Sequence, residues 1–350
     1  MSTVIITGST GLVGSEAVEF FCKKKFHVVG IDNNLRKYFF GKDGDTKWIK
    51  NRLTNKFKNY THINCDIRNK KIIKKIFQKF NKDIKLIIHA AGQPSHDWAI
   101  KEPFTDFSIN AEGTLNLLNY TKEFAKNSPF IFLSTNKVYG DNPNKFKFRE
   151  TKNRYSITGS KFKHGFNEDL NVDNCVHSLF GVSKLSADML VQEYGKNIGL
   201  KTVCFRAGCI TGSNHSGAKL HGFLSYLVKR TVKERSYDLI GFKGKQVRDN
   251  IHSKDLINCF WHFFQKPSSG KVYNIGGGSY SNCSILEAIH LVEKKLSIKI
   301  KKNLIQKPRI GDHQWYISNI HKFSNDYKKW TQTYSIEMII DDLLKTELEK

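Results

Sequence analysis

The chain has 350 residues, of which 39% are hydrophobic and 12% aromatic, so it can bury a large core and is not a disordered polymer. No segment approaches the ~18 consecutive apolar residues of a membrane span, and the N-terminus lacks the basic region and apolar run of a secretory signal. We therefore expect a cytoplasmic protein with no membrane partner.

Basic residues exceed acidic ones by 25, because Lys and Arg number 57 and Asp and Glu number 32. One interpretation of this excess is a nucleic-acid surface. The lysines are spread along the chain in short runs, however, with no zinc-finger spacing or RNA-binding signature. We therefore expect no nucleic-acid partner, and the charge also suits a small polyanionic substrate. The seven cysteines never form a Cys-x-x-Cys pair, and we expect no metal site.

Strand and helix patterns alternate up to residue 206. Short apolar, β-branched runs predict six strands, at residues 3–7, 27–31, 61–64, 86–89, 130–133 and 202–205. Apolar residues at helical spacing predict helices between them, at residues 12–25, 72–80, 104–124 and 180–194. This order is typical of an α/β protein with a doubly wound parallel sheet, the Rossmann fold.

The alternation breaks after residue 206. Residues 208–216 are predicted as a loop, residues 220–233, 249–264 and 284–296 as helices, and residues 272–275 as a short strand. We predict that residues 1–206, together with residues 236–276, form the nucleotide-binding domain. Residues 207–235 and 277–350 are predicted to form a smaller C-terminal lobe that binds a substrate.

Three glycines connect the first predicted strand to the first predicted helix. Gly8, Gly11 and Gly14 have the spacing of a dinucleotide-binding turn. The first glycine permits a tight turn, the second lets the backbone approach a pyrophosphate, and the third lets the helix pack closely on the strand. The amide groups at the start of the helix, including those of Leu12 and Val13, would bind the phosphates. The turn therefore predicts a dinucleotide cofactor.

Polar and small residues follow the next strands, at the edge where open α/β sheets bind ligands. Asp32 ends the second strand, and a carboxylate there accepts hydrogen bonds from the adenosine ribose and repels a 2′-phosphate. Asp32 therefore favours NAD over NADP. Asp66 has an alternative interpretation as the N-cap of the next helix. The further candidates for cofactor contact follow the second, third and fourth strands and are Asn33, Asp66, Ile67, Ala90, Ala91 and Gly92.

Several motifs together resemble the extended short-chain dehydrogenase/reductase family, and the resemblance covers nearly the whole chain. They are the glycine turn and the segments at residues 134–140 (STNKVYG), 244–249 (GKQVRD) and 309–312 (RIGD). Residues 134–141 and 177–184 are most similar to the CDP-paratose 2-epimerase group of this family. The resemblance implies a Rossmann fold with NAD as cofactor, and a nucleotide-diphosphate sugar, with a CDP-sugar favoured, as substrate.

The resemblance also implies a reaction, the NAD-dependent epimerisation of the sugar through a transient keto-sugar. The family uses a Ser or Thr together with a Tyr-x-x-x-Lys pair, whose spacing of four puts both side chains on one helix face. Thr135 and Lys184 match two of these positions, and Lys184 would also bind the nicotinamide ribose. The alternatives are a nucleotide-sugar 4-epimerase or another enzyme of the extended family.

The chain departs from the family at the tyrosine, where it has Phe180. Phenylalanine has no ionisable group and cannot move a proton. The chain is then a Tyr→Phe variant made to trap a ligand, a natural branch with another base, or a non-catalytic binder of NAD and nucleotide sugars. His96, His164 and His177 are candidate bases for the second case. His177 also has a structural interpretation as a residue bonded to backbone, and His96 has one as a solvated loop residue.

Four more residues are candidates for substrate contact. Asn136 and Lys137 follow Thr135 and would touch sugar hydroxyls. Dehydratases of the family carry an acidic pair there, which argues against that reaction. Arg248 and Arg309 would grip the pyrophosphate, because a planar guanidinium bonds two phosphate oxygens. The resemblance also implies a homodimer that packs through the helices predicted after the fourth and fifth strands.

Overall fold

The computed structural model describes residues 2–215, 222–308 and 311–349. The chain divides into two compact units. The first contains the chain up to Thr135 together with Leu179–Arg206 and Ile257–Tyr273. The second contains Asn136–Ser178, Ala207–Leu256 and the chain from Asn274 onward.

Strands and helices alternate along the described residues. The strands are β1 (Thr3–Thr7), β2 (His27–Ile31), β3 (Tyr60–Ile63), β4 (Ile84–His89), β5 (Phe130–Thr135), β6 (Phe148–Glu150), β7 (Tyr155–Ile157), β8 (Thr202–Ala207), β9 (Cys209–Thr211), β10 (Ser236–Ile240), β11 (Val247–His252), β12 (Lys271–Ile275), β13 (Asn282–Ser284), β14 (Lys301–Ile305) and β15 (Trp315–Tyr316). The helices are α1 (Leu12–Lys23), α2 (Arg36–Phe40), α3 (Lys47–Lys56), α4 (Lys70–Phe80), α5 (His96–Lys101), α6 (Pro103–Phe107), α7 (Gly113–Phe124), α8 (Leu179–Lys196), α9 (Phe223–Glu234), α10 (Ser253–Gln265), α11 (Ile285–Leu296), α12 (His321–Asp326) and α13 (Ile336–Leu348). None of the described helices is both long and apolar enough to cross a membrane.

A seven-stranded sheet forms the centre of the first unit, with the strand order β12-β8-β5-β4-β1-β2-β3. β1 lies between β4 and β2 and is parallel to both, and Thr7 at its end is level with His89 and with Ile31. The pairs β2–β3 and β4–β5 are also parallel. Every residue of β1 is buried, as expected for a strand covered on both faces. The predicted doubly wound parallel α/β sheet is confirmed.

The helices of the first unit follow the sequence pattern with three additions. The helix predicted at residues 104–124 is continuous but contains three segments, α6, a π-helical turn at Ser108–Glu112, and α7. α2, α3 and α5 lie in stretches for which the pattern predicts no element. α3 buries just Ile49 and Leu53, so its apolar periodicity is weak.

Two predictions beyond residue 206 are wrong. Residues 249–252, predicted as the start of a helix, belong to β11, and the helix α10 begins after them. Residues 209–211, predicted as loop, form β9 and pair with β11. β11 is buried at every position although most of its side chains are polar, so it lacks the alternation that marks a half-buried strand.

The second unit is built from smaller sheets and a separate apolar core. β11 pairs in parallel with β9 and β15 and antiparallel with β13. Parallel β10 and β14 form one further pair, and antiparallel β6 and β7 form another. α9, α11 and α13 contribute Leu227, Ile289 and Ile340 to the core. α11 begins with a capping box in which Ser284 and Glu287 satisfy amide groups of the first turn.

The compact units divide the chain differently from the predicted domains. Residues 136–178 and 236–256 were predicted with the nucleotide-binding domain, and both fall in the second unit. Residues 207–235 and 277–350, predicted as the substrate lobe, fall in the second unit as well. The difference arises because residues 136–178 contain no strand of the seven-stranded sheet among their described elements, β6 and β7 pairing with each other instead.

Candidate active site

The predicted glycine turn joins β1 to α1. Gly8 has a φ of 68°, a backbone conformation that residues other than glycine rarely adopt. An added Cβ would lie 2.7 Å from the amide nitrogen of Ala91. At Gly14 an added Cβ would lie 2.0 Å from the carbonyl oxygen of Gly8. Gly8 therefore lets the turn approach the segment after β4, and Gly14 lets α1 pack against the turn.

The start of α1 fits the phosphates of a dinucleotide. Gly11 precedes α1 and provides no side-chain cap. The amide groups of the first turn, those of Leu12 and Val13 among them, are therefore left without a capping side chain. An added Cβ at Gly11 would meet the carbonyl oxygen of Gly8 at 3.3 Å. A helix N-terminus with uncapped amides and partial positive charge is a binding site for phosphate groups.

Asp32 lies beside this turn. Its carboxylate accepts hydrogen bonds from the backbone amides of Thr10, at 3.0 Å, and Asn34, at 2.7 Å. Because Thr10 belongs to the glycine turn, these bonds fix the carboxylate where the adenosine ribose of a dinucleotide would lie. The arrangement fits NAD, whose ribose carries two hydroxyls at this end and no 2′-phosphate.

The residues after β2 and β3 are brought together. Asn33 Nδ2 donates to Asp66 Oδ2 at 3.1 Å, and Arg68 binds the same carboxylate through Nε and a terminal nitrogen, at 3.0 and 2.8 Å. Burial raises the pKa of Asp66, but the hydrogen bonds from Arg68 and Asn33 outweigh it and lower the pKa below its usual value. The N-cap of α4 is Asn69 and not Asp66. Ile67 is buried, and its carbonyl oxygen accepts a hydrogen bond from Asn116 Nδ2 at 3.3 Å.

The segment after β4 runs from the glycine turn towards α8. The amides of Ala90 and Ala91 donate to the carbonyl and hydroxyl oxygens of Thr7, at 3.2 and 3.3 Å. Gly92 is exposed, and a Cβ added there would lie 3.9 Å from Lys184 Nζ. The predicted cofactor residues of this segment therefore connect the phosphate end of the site to the predicted catalytic lysine.

Lys184 lies on α8 with its ammonium group buried. Nζ donates to the Leu133 carbonyl oxygen at 2.8 Å and lies 4.2 Å from the centre of the Phe132 ring. Burial lowers the pKa of Lys184 to about 8, although Asp188 opposes the shift. Thr135 is the last residue of β5, two residues beyond the carbonyl that Lys184 binds. Lys184 is therefore held at the end of the strand that carries Thr135.

Phe180 stands one helical turn before Lys184. Its ring is 7% exposed and meets the ring of His96 edge to face, with centroids 4.9 Å apart. His96 is half-buried at the first position of α5. His177 belongs to the second unit, where Nε2 bonds the Val172 carbonyl oxygen at 2.9 Å. Of the candidate bases, the structure brings His96 to Phe180 and gives His177 the backbone bond of its structural interpretation. His164 lies in the second unit with its ring 5.0 Å from that of His321, centroid to centroid.

A buried polar network behind Lys184 was not predicted. Asn110 lies in the π-helical turn and donates from Nδ2 to Ser183 Oγ at 3.0 Å and to Asp106 Oδ1 at 3.1 Å. Gln93 Nε2 donates to the same Asp106 oxygen at 2.7 Å, and burial raises the pKa of Asp106. The network fixes the residue next to Lys184. No sequence pattern marks a π-helical turn inside a helix of continuous apolar spacing.

A second buried cluster fastens α8 to β5 and β8. Asp188 is fully buried and accepts hydrogen bonds from Ser134 Oγ at 2.6 Å and from Arg206 at 3.1 and 2.9 Å. Ser134 immediately precedes Thr135, and Asp188 follows Lys184 by one turn. The cluster therefore sets the position of α8 along the strand that ends in Thr135. Charged residues on a helix ordinarily indicate a solvated face, so no sequence pattern predicts this cluster.

In the second unit, two of the predicted substrate residues approach one segment, Gly311–Asp312. Lys137 Nζ donates to the carbonyl oxygen of Gly311 at 2.7 Å. The guanidinium of Arg248 lies 3.4 Å from the carboxylate of Asp312 and is largely buried. Asn136 is buried in the same unit. Arg309 lies outside the described residues.

The sheet and the turn together define a class, the dinucleotide-binding α/β proteins, whose ligand lies across the carboxyl ends of parallel strands. Comparison with known families narrows the class. Residues 4–276 match the model of the NAD dependent epimerase/dehydratase family. The chain belongs to that family, and NAD is its cofactor.

Individual relatives extend over nearly the whole chain. The CDP-paratose 2-epimerase of Salmonella typhi is 30% identical over 329 residues, which cover 92% of each chain. The UDP-glucuronate 4-epimerase of Thermodesulfobacterium geofontis is 25% identical over 307 residues, 87% of this chain and 84% of that one. A solved UDP-glucuronic acid 4-epimerase from Bacillus cereus, in complex with UDP-glucuronic acid and NAD, matches with a TM-score of 0.80 and 24% identity over 99% of both chains. The resemblance inferred from the motifs is confirmed.

Proposed function

We propose that the protein is an NAD-dependent epimerase of a nucleotide-diphosphate sugar, with a CDP-sugar inverted at carbon 2 as the favoured substrate. The choice of sugar is supported by the 30% identity to CDP-paratose 2-epimerase over 92% of both chains. The observation that carries the chemistry is the buried ammonium group of Lys184, held at the end of β5 beside Thr135 and next to the segment that leaves the glycine turn.

The reaction that these groups support consumes no oxidant. When bound, NAD would supply reversible hydride transfer at the sugar carbon. Thr135 offers a hydroxyl to the sugar oxygen, and the charge of Lys184 lowers the pKa of the reacting sugar hydroxyl. As that hydroxyl loses its proton its carbon–oxygen bond becomes double, which gives a transient keto-sugar. Inversion would then require the hydride to return to the opposite face of the carbon and the proton to return to the oxygen.

The proton requires an acceptor, and Phe180 has no group that can take it. We assign this role to His96, whose ring is in edge-to-face contact with the Phe180 ring. A histidine beside the expected tyrosine position lies near the sugar hydroxyl that a tyrosine would have faced. Imidazole is also the side chain most used for proton transfer near neutral pH.

The substrate's pyrophosphate is assigned to the second unit. Lys137 and Arg248 contact adjacent residues of one segment, Gly311 and Asp312. A guanidinium and an ammonium group together suit a diphosphate. Asn136 and Arg309 are proposed to assist, the first at the sugar and the second at the phosphates. Residues 207–235 and 277–350 remain the proposed substrate lobe, and residues 1–206 with 236–276 the proposed cofactor domain.

We also propose a homodimer in the cytoplasm. α6, α7 and α8 carry large apolar side chains that are exposed, among them Phe104 at 90% exposure. Several exposed large apolar side chains on one group of helices are typical of an interaction site. A second copy is the proposed occupant, because a symmetric pair of such faces covers both at once. The other exposed apolar residues on these helices are Phe107, Leu115, Leu179, Val182 and Met189.

Product formation in deuterium oxide tests the proposed function. Purified protein with its NAD is incubated with CDP-paratose, and the sugar is followed by NMR. Inversion at carbon 2 without deuterium at that carbon supports the proposal, because a returned hydride does not exchange with solvent. Inversion of a UDP-sugar at carbon 4 would instead make the chain a 4-epimerase. If NAD is bound but no CDP- or UDP-sugar is converted, the protein is the non-catalytic binder of NAD and nucleotide sugars that Phe180 also allows.

Histidine variants test the assignment of the proton. His96→Gln should lower kcat about 100-fold or more, the usual contribution of a general base. His290→Gln, on the exposed side of α11, is the matched control and should leave kcat unchanged. Adding Phe180→Tyr to His96→Gln should restore turnover, because tyrosine supplies an ionisable group at the same place. Full activity of His96→Gln alone would remove the assignment.

A further inference from the structure

Aromatic side chains connect α2 to α5. The ring of Trp98 lies 5.2 Å from that of Tyr38 and 5.4 Å from that of Phe39, centroid to centroid. Trp98 Nε1 donates to the Phe39 carbonyl oxygen at 2.5 Å, and the Tyr38 hydroxyl donates to Glu102 Oε1 at 2.5 Å. Tyr38, Phe39, Trp98 and Glu102 are called the clasp below.

The clasp spans the carboxyl end of β1. α2 follows β2 and α5 follows β4, and β1 lies between those two strands. Ile31, Thr7 and His89 end the three strands at one level. Neighbouring strands lie ~4.8 Å apart, so the clasp bridges about 10 Å. The glycine turn starts directly after Thr7, so a dinucleotide that rests on the turn lies under the bridge.

The segment that carries α2 is also fastened to the glycine turn. Asn34 Oδ1 accepts hydrogen bonds from the amide and the hydroxyl of Thr46, both at 3.0 Å. The Thr46 hydroxyl lies 2.8 Å from the hydroxyl of Thr10 in the turn. Asp32 accepts bonds from the amides of both Thr10 and Asn34. Residues 34–46 are therefore tied at one end to the turn and, through the clasp, to α5.

We propose that the clasp retains NAD from one turnover to the next and positions His96. The inference rests on the proposed function, because a hydride taken from a sugar has to return to the same sugar before the cofactor leaves. Loss of the reduced cofactor at that stage would strand the keto-sugar and end the cycle. His96 lies two residues before Trp98 on α5, so the same contact that covers the cofactor holds His96 against Phe180.

The rate of NAD release tests the clasp. Protein loaded with NAD is mixed with alcohol dehydrogenase and ethanol, which convert each released NAD to absorbing NADH. Trp98→Ala and Tyr38→Ala should each speed release about tenfold or more, because each removes a hydrogen bond and ring contacts. Trp48→Ala is the control, since Trp48 is 45% exposed on α3 outside the clasp, and its release rate should stay within about twofold.

Wild-type release rates in both alanine variants, at an unchanged unfolding temperature, would overturn the proposal. If an alanine variant does not fold, Tyr38→Phe and Glu102→Leu each remove one hydrogen bond and should still speed release roughly fivefold. The two proposals fail separately. Fast release from the clasp variants with no sugar product from any protein keeps the clasp and removes the epimerase. Sugar product with unchanged release removes the clasp alone.

Discussion

Alanine at Gly11 and at Gly14 should separate cofactor binding from folding. Gly11 has a φ of -74°, and an added methyl would meet the carbonyl oxygen of Gly8 at 3.3 Å. At Gly14 the same methyl would lie 2.0 Å from that oxygen. The folded protein therefore has room for alanine at the first position and not at the second.

The distances set the size of the expected effects. Ordinary contact begins at 3.4 Å, so α1 and the turn would have to separate by 3.4 − 2.0 = 1.4 Å at Gly14 and by 3.4 − 3.3 = 0.1 Å at Gly11. Overpacking of a close-packed site costs about 1–3 kcal/mol, which is the expected fall in unfolding free energy for Gly14→Ala. Gly11→Ala should change it by less than about 0.5 kcal/mol. Its methyl should displace the pyrophosphate from one amide, which weakens NAD binding roughly 10- to 150-fold.

Urea unfolding of the NAD-free variants gives the stability, and calorimetric titration with NAD gives the affinity. The expected pattern is a stable Gly11→Ala protein with weak NAD binding and a destabilised Gly14→Ala protein. Unchanged NAD affinity in Gly11→Ala would refute the placement of the pyrophosphate at the turn. Equal destabilisation in the two variants would refute the packing argument for Gly14.

Two further outcomes are expected. Turnover should fall as the pH rises through about 8, because burial lowers the pKa of Lys184 to about 8 and the ammonium charge is lost above that pH. A profile of kcat against pH measures this fall, and Lys184→Arg should keep its charge at higher pH. A flat wild-type profile would contradict the role of the Lys184 charge. Phe104→Glu should be a monomer, because the substitution places a charge on an exposed apolar surface. Light scattering measures this, and Ile72→Glu on α4 is the control that should remain dimeric. A monomeric wild-type protein would contradict the proposed dimer.

The parts of the structure that the sequence predicts are those with local causes. The glycine spacing predicts the turn because the demands at Gly8 and Gly14 concern atoms close in the chain or in the adjacent strand end. The parallel strands were predicted because strands buried on both faces are continuous apolar runs. Thr135 and Lys184 came from the family resemblance, and the structure places Lys184 on the carbonyl of Leu133, at the end of the strand that carries Thr135.

The parts that could not be predicted depend on distant partners. α2 has five residues, too few for a periodic pattern, and Trp98 binds it from 59 positions away. β11 was misassigned because its polar side chains are satisfied from elsewhere in the chain. Asp249 accepts a bond from the amide of Ser318, 69 positions later, and burial raises its pKa to about 6. Such strands lack the apolar signal on which the assignment of buried strands depends.

α8 presents different side chains to its two sides within a single turn. Leu179 and Val182 are exposed, while Phe180, between them in the sequence, and Lys184, two residues after Val182, are buried. A side-chain tip ~6 Å from a helix axis moves about 2 Å when the helix rolls by roughly 20°. If a second copy packs against the exposed side of α8, each copy holds Phe180 and Lys184 of the other in position. Dilution to monomers would then lower the turnover per chain even at saturating cofactor and sugar.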